Sequence, residues 1–362
     1  PVLLNGLLEN YRLEEENEDP YSLIANAIAG LDDAATLEFI SKHYVQLTGE
    51  KEARKYSLLH VLSRIKTQAS YDLLKSLLVK DPPKKGDASW MAYPLTDSLK
   101  LTASLYPELL SLSEDPIFAD ELAGVTTTLL DSSMISKEAV LPFKDRLLST
   151  AASRLPMVLK DTAAEWWRYA NWVQLLGKFN DAASNALLQQ YVKSEIVGLK
   201  KAAVVALVRN DQPVDKLQME TVAADRNFRM ALYDDLKELK KEHLFPSKYA
   251  NQKALAEGDL YQSLNEDYDI DEITWIAEKT VDFMGKKQKF QIFKVSIKGE
   301  DASEAHLGVA GPYLITGKEL ITYADGTGIY WDEEFNKSKI DKQFRSYLQQ
   351  IEEYLKEDNT TK

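Results

Sequence analysis

The chain has 362 residues, 44% hydrophobic and 28% charged, with a formal net charge of −13. That length suits two or three domains, and the acidic balance excludes the clustered Lys and Arg with which non-specific nucleic-acid binders displace counterions. It contains no cysteine, which excludes disulfides, thiolate metal ligands and cysteine nucleophiles.

No apolar run approaches the roughly 20 residues of a membrane span, so no transmembrane segment is expected. The chain opens on Pro1 rather than Met, and the expectation is a portion of a longer protein.

Residues 1–266 read as nearly continuous helix, in hairpins. Leu23–Leu31, Ala34–Leu47 and Ala53–Ile65 carry apolar residues at three- and four-residue spacing. Leu58, Val61, Leu62 and Ile65 form one face; Leu73, Leu74, Leu77 and Leu78 form that of the next helix, which Asp81-Pro82-Pro83 ends. Two segments 114 positions apart look alike: LHVLSRIKTQASYDLLKSLL from Leu59 and VQLLGKFNDAASNALLQQYV from Val173. In each, an apolar stretch ends, Thr67 or Asp181 follows as a capping residue, and a second apolar stretch begins. Glu195–Val208 is a further helix in which Ala202, Ala203 and Ala206 allow a neighbour to approach closely. Hairpins of roughly 35–45 residues, repeated, are the mark of stacked helical repeats. The pattern resembles the HEAT/armadillo class, which implies an irregular α-solenoid.

At residue 267 the period changes. Trp275, Ala277, Val281 and Phe283 alternate with polar residues, and Gly285-Lys286-Lys287 reads as a turn. Gln288–Lys298 is a second strand whose apolar face switches at Ile292-Phe293, which predicts a bulge or burial on both faces. His306–Ala310, Glu319–Tyr323 and Ile329–Trp331 read as further strands. A helix from Ser338 through Lys356 carries the stripe Ile340, Phe344, Tyr347, Leu348, Ile351. Residues 267–358 are thus expected to form an antiparallel β-meander plus one C-terminal helix, and 359–362 a frayed tail. The expected fold class is mainly α, a HEAT-like α-solenoid followed by a small α+β domain.

Asp267, Asp269, Asp271 and Glu278 occupy positions 1, 3, 5 and 12 of a calcium loop, but Glu272 stands where that loop needs Gly; an acidic linker is the plainer reading. His43, His60, His243 and His306 show no metal-ligand spacing, and no cofactor motif occurs. On the helix carrying Trp166, Trp167, Tyr169 and Trp172, a core face of Trp166, Tyr169, Val173 and Leu176 leaves Trp167 and Trp172 as candidate groove anchors for a protein or peptide partner. Tyr330 and Trp331 are the second candidate contact. The leading expectation is a non-catalytic interaction or scaffold module. The rival is an enzyme or small-ligand binder with a carboxylate-lined site between solenoid and sheet, drawing on Asp325, Asp332 or Glu333.

Leu307-Gly-Val-Ala-Gly-Pro-Tyr313, Gly328-Ile-Tyr-Trp-Asp-Glu-Glu-Phe335 and Ile340-Asp-Lys-Gln-Phe344 resemble the C-terminal region of large bacterial proteins with a TraB/GumN-type domain. The resemblance implies a non-catalytic C-terminal portion and an envelope or periplasmic setting, and carries over no catalytic residue.

Overall fold

The computed structural model describes residues 28, 34–84, 88, 92–158, 166–299, 305–315 and 319–361. The expected helix Leu23–Leu31 therefore lies outside the described residues except for Ile28, which is helical and buried. The fold is mainly α with a smaller α+β region, and it divides into two compact units, Pro1–Gln212 and Pro213–Lys362.

The first unit is helical: α1 (Ala34–Tyr44), α2 (Lys55–Ile65), α3 (Gln68–Lys80), α4 (Ala92–Asp97), α5 (Leu99–Ala103), α6 (Ala119–Asp131), α7 (Lys137–Val140), α8 (Lys144–Val158), α9 (Trp166–Phe179), α10 (Ala182–Tyr191) and α11 (Val197–Arg209). The look-alike segments are the hairpins α2–α3 and α9–α10, and they turn in the same way. Lys66 and Asn180 both take left-handed backbone, with φ of 55° and 50°. Thr67 and Asp181 then accept from the backbone N–H groups of Ser70 and Ser184, whose hydroxyl oxygens accept from the cap residues' own N–H groups. Two orphan donors of each helix start are thus satisfied reciprocally.

Helix α9 holds this unit together. It packs on α6 and α11, and Ala170, Trp172, Val173, Leu175, Leu176 and Phe179 are all buried. The indole nitrogen of Trp172 donates to Asp120 on α6 at 2.6 Å, and Arg154 Nε on α8 donates to the same carboxylate at 2.9 Å. One carboxylate so joins three helices. At the approach of α9 to α11, a Cβ on Gly177 would stand 3.0 Å from that of Ala206, so the small residues there set the interhelical spacing.

The second unit begins with three helices, α12 (Lys216–Ala224), α13 (Arg229–Glu238) and α14 (Gln252–Leu264). A four-stranded antiparallel sheet follows in the order β1 (Ile270–Phe283), β2 (Lys286–Ile297), β3 (Ala305–Leu314), β4 (Gly328–Tyr330), then α15 (Ile340–Thr361). Strand β2 is buried on both faces. Phe293 and Val295 pack with Leu260 and Leu264 of α14, while Phe290 and Ile292 pack with Phe344 and Tyr347 of α15. The switch at Ile292-Phe293 reflects this double burial, and bulges are present as well, at Trp275/Ala277 and Lys289/Gln291.

Three local expectations differ from the structure. The change in period at 267 suggests a boundary there, whereas the compact unit starts at Pro213, because the sheet's apolar face needs α14 as its cover. Glu319–Tyr323 is no strand: its Ile321 exchanges backbone hydrogen bonds with the Gln252 side chain instead of with a strand, at 2.7 and 2.9 Å. The last helix continues through Thr361, beyond the expected fraying point.

Removing the Thr67 cap with Thr67→Ala should cost about 1 kcal/mol, and Thr67→Asp should retain most of it. Urea unfolding checks this; an unchanged midpoint for Thr67→Ala would show the cap to be silent.

Candidate functional site

Three features of the second unit combine polar or aromatic chemistry with accessibility or a perturbed charge. The first is a three-ring cluster. After α14 the chain wraps back, with the N–H groups of Asp267 and Tyr268 both donating to the Leu264 carbonyl, at 3.1 and 2.9 Å. That turn presents Tyr268. Strand β4 ends at Tyr330, and the next residue, Trp331, meets the Tyr268 ring at 5.0 Å between centroids. His306, on β3 across from Val295 of β2, meets Trp331 at 4.8 Å. The Phe335 N–H donates to the Ala305 carbonyl at 2.6 Å, anchoring the segment that carries Trp331 to the start of β3. Trp331 is 46% exposed and Tyr268 38%. His306 is only 8% exposed, and its Nδ1 is buried with no hydrogen-bond partner among the described residues.

Carboxylates flank the rings. Glu266, Asp267, Asp269, Asp271 and Glu272 lie on the Tyr268 side, all exposed, and Asp332, Glu333 and Glu334 follow Trp331. Lys298 pairs with Asp269 at 3.2 Å and Lys342 with Glu333 at 2.8 Å. The hydrogen bond from Lys342 holds the Glu333 carboxyl below its usual pKa. Asp332 accepts from the Gln350 amide at 2.7 Å.

The second feature is a cleft of about 410 Å³ bordered by Arg226, Asn227, Arg229, Glu257 and Tyr261. Its arginines are committed to structure. Arg229, 3% exposed, donates to the carbonyls of Ala223, Ala224 and Ala254 and to Glu257, tying the end of α12 to α14. Arg226 donates to the other oxygen of Glu257 at 2.7 Å.

The third is Asp259 on α14, 5% exposed. The Tyr313 hydroxyl donates to its Oδ2 at 3.0 Å and the Thr327 hydroxyl at 2.6 Å. Thr327 in turn accepts from the Gly311 N–H at 3.1 Å. Burial raises the Asp259 carboxyl to about 6, against the lowering effect of these hydrogen bonds. Burial and the facing Asp259 charge push the Tyr313 hydroxyl well above its ordinary value. The group is a core tie between α14, β3 and the segment before β4, and it carries a titration near neutrality.

The expected contact residues separate. Trp331 is exposed, as a contact requires. Tyr330 is buried at 4% in the core under α15, and its β4 neighbour Ile329 is buried on the opposite face of the sheet, because this strand is covered on both sides. Trp172 is wholly buried with its indole nitrogen bonded to Asp120, so it is a core residue and no groove anchor. The Trp167 side chain lies outside the described residues.

The calcium arrangement is not formed. Ile270–Phe283 is one strand, so Asp271 and Glu278 stand roughly 20 Å apart along it. Glu278 bonds Lys289 and Gln291, and Asp269 bonds Lys298. Among the described residues no group of three or more His, Asp or Glu is placed to hold a metal ion. His43 Nδ1 bonds the Phe39 carbonyl and His60 accepts from Arg64, both within their own helices. Asp325 is exposed in a turn.

Sequence reasoning missed Tyr268, His306 and Asp259 as site residues. Tyr268 read as part of an acidic linker; its signal was an aromatic placed among carboxylates just past a helix end. Asp259 gave none, since one acid among the apolar residues of an amphipathic helix reads as its solvent edge.

Because its pKa is raised on folding, Asp259 stabilises the fold fully below about 4, and that contribution is lost as pH rises through about 6. Between pH 4 and pH 7 the wild type should lose about 2 kcal/mol more than Asp259→Asn. Unfolding free energies of both proteins across that range check this; parallel curves would mean that Asp259 titrates at its ordinary value.

No protein-family model, no curated protein and no solved structure matches the chain.

Proposed function

We propose that the chain is a non-catalytic interaction module that binds a polypeptide partner through the surface centred on Trp331. The observation that carries this reading is the Trp331–Tyr268 pair, two large rings left open to solvent yet packed 5.0 Å apart. Exposed aromatics supply large contact area, and rings already braced against each other and against His306 lose little conformational entropy when a partner arrives. A lone exposed Trp would need no explanation; a braced pair on an anchored segment invites one.

The same reading takes the first unit as a HEAT-like scaffold. Its support is the shared turn of α2–α3 and α9–α10, a left-handed residue followed by a reciprocal cap. Trp167 belongs to this reading only as a sequence expectation. The enzymatic alternative would draw on Asp259, whose carboxyl burial raises to about 6, but its hydrogen-bond partners are the Tyr313 and Thr327 hydroxyls and the Ala324 backbone of its own core.

A random peptide library selected on the full chain, with Trp331→Ala as counter-selection, tests the proposal. Enriched peptides should lose at least about tenfold in affinity for Trp331→Ala, as a hot-spot aromatic does. The melting temperature should stay close to that of the wild type. No enrichment at all, or peptides indifferent to Trp331, would overturn it.

A further inference from the structure

The carboxylates around the ring pair say more about the partner. Five acidic residues between 266 and 272 flank Tyr268, and three follow Trp331 directly. Against these stand Lys298 and Lys342, each in an exposed ion pair with one carboxylate, and Lys339, whose charge also acts on Glu333. Exposed pairs of this kind contribute little and exchange readily. The local balance is therefore strongly negative, on a chain whose overall charge is −13.

An aromatic face is itself a weak electrostatic receptor for cations, Trp the best of them. The second unit already uses this pairing internally: Lys253 Nζ stands 4.3 Å over the ring of Trp275. At Trp331 nearly half of the side chain, 46%, remains open to solvent, and carboxylates adjoin it and Tyr268 in sequence. His306 supplies a second, independent observation here. Its ring packs against Trp331 while its Nδ1 is buried without a partner among the described residues, an arrangement that is costly to keep.

We propose that the Trp331–Tyr268 surface docks a cationic polypeptide segment, one lysine or arginine of which lies over the Trp331 ring while its neighbours pair with Asp267, Asp271 and Asp332. This deepens the interaction-module reading and rests on it. The negative field steers the segment in, so association is faster at low salt.

The test uses the full chain and three fluorescein-labelled peptides of equal length, with Ser alternating with Lys, Gln or Glu, followed by anisotropy at about 150 mM salt, where long-range attraction is screened. The Lys peptide should bind at least tenfold more tightly than the Gln peptide, and the Glu peptide should not bind. Trp331→Ala, which leaves every carboxylate in place, should weaken the Lys peptide about tenfold. Combined Asp267→Asn, Asp271→Asn and Asp332→Asn should weaken it and flatten its salt dependence. Trp331→Phe keeps a ring against His306 and should lose only part of the affinity, which guards against misreading a folding defect in Trp331→Ala.

Equal, Trp331-dependent binding of the Lys and Gln peptides would overturn the cationic partner and leave the module reading standing. Lys-peptide binding indifferent to Trp331 would reveal diffuse attraction to an acidic chain and overturn the site. Absence of binding by all three peptides would overturn the cationic proposal, while the library selection reports separately on the module reading.

Discussion

Strand β2 carries large apolar side chains on both of its faces, and a sheet built around such a strand has to be covered twice. Antiparallel sheets commonly leave one face to water. Here Phe293 and Val295 point one way, and Phe290 and Ile292 the other, so neither face can be left open. Helix α14 closes one and α15 the other. The arrangement of the second unit follows. Helix α14 comes from before the sheet in sequence, bringing α12 and α13 with it, and the segment joining β3 to β4 is strapped back across α14 by Gln252, Asp259 and Gln262. The Trp331 surface is a by-product of this closure. It forms where the chain leaving α14 and the chain leaving β4 emerge side by side.

Polar groups in the two units do the same kind of work by different means. In the first, Asp120 receives bonds from Trp172 and Arg154, a carboxylate compensated by a cation. In the second, Asp259 receives bonds from two hydroxyls and the Ala324 backbone, and from no cation among the described residues. A carboxylate so placed has hydrogen bonds but little charge compensation, which is why burial dominates and its proton is held more tightly. A cation beside a buried carboxylate fixes its charge; neutral donors leave it dependent on the medium.

Much of the local structure was legible in the sequence because it is local. A capping residue after an apolar run marks Thr67 and Asp181 as helix starts, and an unbroken stripe from Ile340 to Ile351 marks α15. The face switch in β2 was visible as a break in alternation. What could not be read depends on partners distant in sequence. That α14 belongs with the sheet is decided by strands that come later in the chain. The segment Glu319–Tyr323 has the composition of a strand, yet its hydrogen bonds are taken by a glutamine some seventy residues earlier. Trp172 falls off the apolar stripe that helical periodicity predicts for α9. It is buried all the same, because that helix has neighbours on more than one side and Asp120 accepts its indole N–H.

Among the described residues, strand β1 has one edge with no partner strand in the sheet order. Fourteen residues of unpaired backbone would ordinarily be a template for edge-to-edge growth. Along β1 the chain sets four exposed carboxylates, Asp271, Glu272, Glu278 and Asp282, against one cation, Lys279, which bonds Asp341, so a second copy offering the same edge would meet mostly like charge. The acidity proposed to receive a cationic segment would thus have a second effect, setting carboxylate against carboxylate whenever two copies bring their β1 edges together.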